Sequence, residues 1–385
     1  MSSPRREYLE ETIGLLWPQA RTRIVREPPH RRWNSRGYLI LPNAAEPRLL
    51  VPAGRRIAAA AMERYSALRK SPLRVAALRS GLGAFALSDR LYVDPGPQNF
   101  ETYAAGILDR PVRLSLHVGP PRANRKPVVQ LLDRAGNTLA FGKIGRDALT
   151  DRLVDAEAAA LSRVSGLPTV RTPVVIQHGR WQDRSLLLQS PLPAWRGTAA
   201  DDRLLITAMR EIVAAEGIET LPLENSRYLC ELRDRIGTIP DPAHRTPLNE
   251  FLTGLLRRSG GTALPFGCWH GDLTPWNVAA AGDRMLVWDW ERFAGGVPVG
   301  FDALHYDLQQ RLHTHGPAES TAREFIRAAP KVLDPWDGPD PAALAALYLI
   351  EIGTRYAVDG QRESGSAAGD LQRWLIPALT LEGVR

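Results

Sequence analysis

Hydrophobic and polar positions change period several times along the chain, and each change marks an element boundary. Alternation over a short run predicts a half-buried strand; apolar positions three and four apart predict a helix. Residues 1–35 are Arg- and Pro-rich with a short helical opening. Residues 37–51 (GYLILPNAAEPRLLV) predict a hairpin turning at Pro42-Asn43. Residues 55–79 are Ala-rich and periodic, a helix broken at Gly81-Leu82-Gly83. A further short helix is expected over residues 100–108.

The next 78 or so positions alternate in a way that suits an antiparallel sheet. Strands are expected at 112–118, 128–132 and 138–144, with a loop at 119–126 and a turn at 133–137. Residues 147–164 then place Leu149, Leu153, Ala156, Ala160 and Val164 on one helical face. Two more strands follow at 174–178 and 185–189. After Ser190-Pro191-Leu192-Pro193 the strand pattern nearly stops, and helices are expected at 201–217, 224–236 and 246–258. The layout is α+β: a five-stranded antiparallel small lobe with one helix at 111–189, a hinge at 190–195, and a mostly helical lobe at 196–385. Residues 1–110 form an N-terminal extension of unassigned role. No internal repeat or low-complexity tract is visible.

Composition narrows the class. At 44% hydrophobic and 24% charged, the chain is too apolar for a disordered protein. Its longest apolar run, 342–352, is interrupted by Glu351 and is shorter than the roughly 20 residues a bilayer needs. The opening MSSPRREYLEETIG lacks an apolar core, so no signal peptide, no membrane partner and a cytoplasmic location are expected. Two cysteines, Cys230 and Cys268, provide neither a disulfide framework nor a zinc finger.

The net charge of +7 is unevenly spread. Residues 1–110 hold 18 basic and 10 acidic groups, 111–189 hold 12 and 6, and 190–385 hold 19 and 26. Arg accounts for 45 of the 49 basic residues. A retained Lys is therefore informative, because an ammonium is a compact point charge and a guanidinium a planar fork. Of Lys70, Lys126, Lys143 and Lys331, only Lys143 lies inside an apolar strand-like run, TLAFGKIG.

Candidate chemistry concentrates at 268–293, CWHGDLTPWNVAAAGDRMLVWDWERF. His270, Asp272 and Asn277 give H-x-D-x-x-x-x-N; Asp289 follows an apolar strand twelve residues on, and Glu291 follows Asp289. The first spacing alone occurs by chance in roughly one chain in a hundred of this composition. The second Asp, the strand before it and the β-rich segment upstream make the set specific. These residue types suit phosphoryl transfer, which needs positioning, charge neutralisation and a group to receive the acceptor proton. Asp272 can receive that proton. Asn277 and Asp289 offer hard oxygen donors for Mg²⁺, and Glu291 can hold a second ion. Lys143 can reach nucleotide phosphates, with Glu157 pairing to orient it.

HGDLTPWN followed by VWDWE resembles the aminoglycoside phosphotransferase and choline kinase group of the protein-kinase-like fold, over about residues 112–360. The resemblance implies a bilobal kinase-like fold, ATP or GTP as donor, Mg²⁺, and a small-molecule hydroxyl as acceptor. It implies Asp272 as catalytic base, His270 as a brace of the catalytic loop, and Asn277, Asp289 and Glu291 as metal ligands. Lys143 and Glu157 become the ion pair of the nucleotide lobe. Gly119, Arg122, Arg125, Gln189 and Pro191 complete the nucleotide-binding set, and Asp302 ties the helix that follows to the catalytic loop. The loop 119–126 departs from a G-x-G-x-x-G pattern; Arg122, Asn124, Arg125 and Lys126 offer side-chain contacts in its place.

Other readings are weaker. A non-catalytic kinase-like module would not need the full Asp, Asn and Asp set. Nucleic-acid binding through residues 1–110 would need aromatics among the basic residues, and few are present. A protein-kinase role lacks an activation segment ending in an A-P-E-like motif after Asp289. His305, His313 and His315 have no Cys or carboxylate cluster to complete a zinc set. Trp269, Trp276, Trp288 and Trp290 crowd the motif, either to pack the large lobe or to stack on an acceptor.

Overall fold

The computed structural model describes residues 3–25, 36–63, 89–194, 197–198, 201–336 and 340–381. The chain divides into two compact units. The first takes residues from 1–121, 125–155 and 174–195, and the second from 122–124, 156–173 and 196–385.

The first unit is built on one antiparallel sheet. Its strands are β1 (Arg21–Val25), β2 (Arg36–Leu41), β3 (Leu49–Pro52), β4 (Asp89–Asp94), β5 (Arg113–His117), β6 (Val128–Leu132), β7 (Thr138–Ile144), β9 (Val175–Trp181) and β10 (Arg184–Gln189). They lie in the order β1-β4-β2-β3-β5-β6-β7-β10-β9. The expected five-stranded sheet is thus the latter part of a nine-stranded one. The join is at β3 and β5, where Leu49 pairs with His117 and Leu50 with Leu116. Left unpaired, β5 would be an apolar edge with open backbone groups, and the strands from residues 21–94 satisfy it. The expected hairpin exists as β2 and β3, with Leu41 opposite Leu49.

Side-chain alternation fixes which face each residue buries. Tyr38, Ile40 and Leu50 join Leu114, Leu116, Val129, Leu131, Ile144, Leu186 and Leu188 in one core. Helices α1 (Pro4–Leu16) and α3 (Phe100–Leu108) add Leu9, Ile13, Phe100 and Ala104 to it. The intervening Leu39, Leu49, Val51 and Leu132 pack instead on Ile57, Ala58, Ala61 and Met62 of α2 (Arg55–Glu63). The expected helix 55–79 is described only to Glu63, and its proposed break at Gly81 and Gly83 lies outside the described residues. Ser3 and Asn99 cap α1 and α3 by accepting from Arg6 and Thr102 backbone N–H groups. Buried Glu101 accepts from the Tyr38 hydroxyl (2.6 Å), the Leu114 backbone N–H (3.0 Å), Arg113 (3.3 Å) and Arg36, which locks α3 to β2 and β5.

Helix α4 (Ala148–Arg163) begins in the first unit and ends in the second. The second unit is largely helical: α5 (Asp202–Val213), α6 (Arg227–Gly237), α7 (Pro242–Ser259), α8 (Phe301–His315), α9 (Glu319–Leu333), α10 (Pro341–Val358) and α11 (Leu375–Leu381). Strands do not stop at residue 193, however. Two three-stranded sheets are present, β11-β12-β15 and β13-β14-β8. Their members are β8 (Val170–Arg171), β11 (Glu219–Pro222), β12 (Ala263–Trp269), β13 (Val278–Ala281), β14 (Arg284–Val287) and β15 (Ala294–Pro298). Segments such as VAAA and AGGVP carry little intrinsic strand preference; pairing with neighbours decides their state.

Glu351 interrupts the apolar run of α10 and is buried with it. Both oxygens are held, by the Arg235 guanidinium at 2.6 and 2.7 Å and by the Tyr228 hydroxyl at 3.1 Å. A bidentate pair with a third donor is what makes a buried carboxylate tolerable. Among the described residues no helix is long and apolar enough to cross a membrane.

Candidate active site

The loop between β12 and β13 carries His270, Asp272 and Asn277, and the side chains that hold it, His305, Asp302 and Arg355, belong to the second unit. Gly271 has φ of 79°, and a Cβ there would collide with the Arg292 carbonyl, so only glycine fits. The Asp302 carboxylate, at the start of α8, accepts from the His270 backbone N–H at 2.7 Å and the Gly271 N–H at 3.1 Å. Arg355 of α10 donates to the Gly271 carbonyl at 2.6 Å and stacks on the Trp269 ring. Both peptide groups flanking Gly271 are thereby anchored to helices rather than to water. Burial pushes the Asp302 carboxyl up to about 7, against the two backbone donors and Arg355, which favour its ionised form.

His270 is fully buried. Its Nδ1 accepts from the Asp272 backbone N–H at 3.1 Å, and its Nε2–H donates to the Trp288 carbonyl at 3.2 Å. The ring therefore spans from the 270–277 loop to the segment entering Asp289. It lies 4.5 Å from the Trp290 ring between centroids. Burial lowers its pKa to about 4, so the brace is a neutral imidazole. Unfolding releases a histidine with an ordinary pKa, which favours the unfolded state as pH falls. The stability due to neutral His270 is complete above about pH 6.5 and lost toward pH 4, up to roughly 3 kcal/mol. We expect His270→Gln, which cannot ionise, to be less stable at pH 7 but to show a shallower loss on acidification. Urea denaturation at pH 7 and pH 4.5 checks this; parallel pH dependences would contradict it.

Asp272 has 32% of its side chain exposed, more open than the residues that hold it. Its Oδ2 accepts from Asn277 Nδ2 at 3.1 Å, and the same amide donates to the Asp272 carbonyl at 3.0 Å. Its Oδ1 lies 3.2 Å from His305 Nε2. Enclosure pushes the carboxyl up, but the hydrogen bond and proximity of His305 outweigh it and hold the group below the usual range. Asp272 is thus a carboxylate at neutral pH. Both side-chain hydrogen bonds of Asn277 run through Nδ2, which leaves its Oδ1 as a donor for a metal.

Asp289 follows β14 with φ of 72°. A non-glycine residue in the left-handed region stores strain on the order of 1 kcal/mol and persists where the surroundings or the function demand it. Its carboxylate, that of buried Glu291 and that of fully buried Glu157 on α4 have oxygens within 4.8 Å of one another. Asn124 Nδ2 donates to Glu291 at 3.2 Å. Carboxylates this close repel unless cations offset them. The donor set is all hard oxygen, which suits Mg²⁺. Sequence reasoning placed Glu157 with Lys143; the structure also places it among the acids proposed for metal. Nothing in its spacing marks this, since α4 and Asp289 are over a hundred residues apart.

The other nucleotide-binding candidates lie in the first unit, except Arg122. Lys143 is buried on β7, opposite Val128 on one side and Leu187 on the other. Gln189 ends β10 with its Oε1 buried and unpartnered among the described residues, an orphan acceptor. Pro191 follows it, half-buried. A Cβ at Gly119 would meet nothing nearer than 3.9 Å, so the backbone there does not itself call for glycine. Arg125 lies over the Tyr8 ring at 3.9 Å and is engaged there. Trp290 and Trp269 are buried as packing, whereas Trp276 is 44% exposed beside His313. His305, set aside as an unmatched metal ligand, instead contacts Asp272. The available signal was its place three residues after Asp302, on the same face of one helix.

No protein-family model matches the sequence, and no curated protein matches it. Solved structures do resemble it. A thermostable mutant of aminoglycoside phosphotransferase APH(4)-Ia, in ternary complex with ADP and hygromycin B, is 15% identical, with 74% of this chain and 98% of that one covered and a TM-score of 0.48. A fructosamine-3-kinase candidate from Haemophilus somnus 129PT is 12% identical, covering 73% and 96%, with a TM-score of 0.44. The GDP and kanamycin complex of APH(2")-IIIa is 14% identical, covering 67% and 90%, with a TM-score of 0.43. The solved structures similar to this chain therefore include aminoglycoside phosphotransferases and a fructosamine-3-kinase candidate.

Proposed function

We propose that the chain is a magnesium-dependent phosphotransferase that moves the γ-phosphoryl group of ATP or GTP to a hydroxyl of a small molecule. The observation that carries this reading is the Asp272 carboxylate, ionised, partly open, and fixed on one side by Asn277 and on the other by His305. A carboxylate held this way can orient an acceptor hydroxyl and receive its proton as the phosphoryl group transfers. Asp289, Glu291, Glu157 and Asn277 Oδ1 would hold Mg²⁺, which offsets the charge on the phosphate oxygens. Lys143 would add a point charge to the phosphates, with Gln189 and Pro191 at the base, Gly119, Arg122 and Arg125 in the preceding loop, and the hinge at 190–195.

The acceptor is read as neutral or cationic, such as an aminoglycoside, a sugar or an amino alcohol. The segment from 190 onward carries seven more acidic than basic groups, which favours cations over anions. Exposed Trp276 offers a face for a sugar ring or an alkylammonium group. ATP turnover with and without magnesium, in a mixture of hydroxylated amines and sugars, separates an enzyme from a nucleotide-binding module. Magnesium-dependent consumption is expected, and its absence with nucleotide still bound would favour the module.

Lys143→Arg should lower kcat/KM by on the order of tenfold or more although charge is kept, because a buried strand position cannot seat a planar fork. Exposed Lys331 in the last turn of α9 is the control, and Lys331→Arg should be silent. Equal tolerance at the two positions would remove Lys143 from the site.

A further inference from the structure

We propose that His305 is a positioning residue for Asp272, held by the Tyr348 hydroxyl in the tautomer whose Nε2–H donates to the Asp272 carboxylate. The inference rests on the reading of Asp272 as the base. His305 and Tyr348 are buried, at 1% and 0% exposure. The imidazole is bracketed: Nδ1 lies 2.7 Å from the Tyr348 hydroxyl and Nε2 lies 3.2 Å from Asp272 Oδ1. No other hydrogen bond is made by either ring nitrogen among the described residues.

Only one neutral arrangement satisfies all three groups. Asp272 is a carboxylate and can only accept, so Nε2 must carry the hydrogen. Nδ1 must then accept, and the phenol is the donor that reaches it. Burial raises the Tyr348 hydroxyl well above its ordinary pKa, so it keeps its proton throughout the working range. The same burial lowers His305, against the pull of Asp272; Arg355 on α10 lowers it further. His270 also acts electrostatically on it and is neutral, and Asp302 lies three residues before it on α8.

The arrangement fixes the carboxylate plane, since Asn277 holds Oδ2 and His305 holds Oδ1. The acceptor proton goes to Asp272, and His305 retains its own proton throughout. His305 thus acts through Asp272 and does not itself touch the reacting atoms.

Two measurements test this on the full chain. The first follows magnesium-dependent ATP turnover with water as acceptor against ATP concentration. His305→Leu is expected to lower kcat by about tenfold to a hundredfold with KM for ATP little changed. His305→Gln, whose amide can still donate, should restore part of kcat, and Tyr348→Phe should fall between. The second uses histidine-selective ¹⁵N NMR of the wild type, which needs no variant to fold. His305 should remain the Nε2–H tautomer from pH 8 to pH 5.5. An active wild type with an unchanged kcat in folded His305→Leu would overturn the role of His305 alone. So would an Nδ1–H tautomer or a titration near an ordinary value of about 6.5. A wild type with no ATP turnover would overturn the base assignment, and with it the proposal, whatever the NMR shows.

Discussion

Asp272→Asn is expected to reduce turnover by a factor of roughly 10² to 10⁴, the usual worth of a positioned general base, with nucleotide affinity little changed. The geometry sharpens the expectation. In the native loop both oxygens face donors, His305 Nε2–H and Asn277 Nδ2. An amide at 272 must turn its NH₂ toward one of them, whichever way it is placed. The variant should therefore lose about 1–2 kcal/mol of stability as well as its base. Asp272→Ala removes the clash and should recover part of that stability while remaining as inactive. Turnover and thermal unfolding of both variants check the pair of expectations. Wild-type turnover in either would show that the base lies elsewhere.

Substitution at Asp289 should be as damaging to activity, with an opposite sign for stability. At φ of 72° the native aspartate sits in a conformation that glycine adopts without strain. Asp289→Gly is expected to lower activity by roughly 10³-fold or more, because the variant would lack the anionic metal ligand proposed here. Its melting temperature should be unchanged or higher, since strain and carboxylate repulsion are both relieved. Nucleotide affinity measured with and without magnesium should converge in the variant. Lower stability with the magnesium dependence intact would make Asp289 a structural residue and move the metal elsewhere.

The sequence disclosed the elements that rest on local pattern. Strands β6 and β7 fall on the residues their alternation predicts, and α4 falls within the expected helix; of the face drawn for it, Leu153, Ala160 and Val164 are buried, Leu149 is half-buried and Ala156 is exposed. It concealed what depends on partners distant in the chain. The pairing of β3 with β5 merges residues 21–94 into the sheet, and no local signal says which edge a strand will join. Segment 278–281, with little intrinsic strand preference, is a strand because β14 pairs with it. At the site, the H-x-D-x-x-x-x-N spacing was legible because one loop carries it. The Asp272, His305 and Tyr348 chain was not, because it draws on a loop and two helices.

The most direct test of the account follows the γ-phosphate itself. ATP labelled at that position is incubated with magnesium, the wild-type chain and a pool of small hydroxylated molecules, neutral, cationic and anionic, in parallel with Asp272→Asn. The account predicts label in a non-nucleotide small-molecule fraction, formed from neutral or cationic alcohols, and its near absence with the variant. Label that stays in ATP, or passes only to inorganic phosphate or protein at equal rates for both chains, would contradict it.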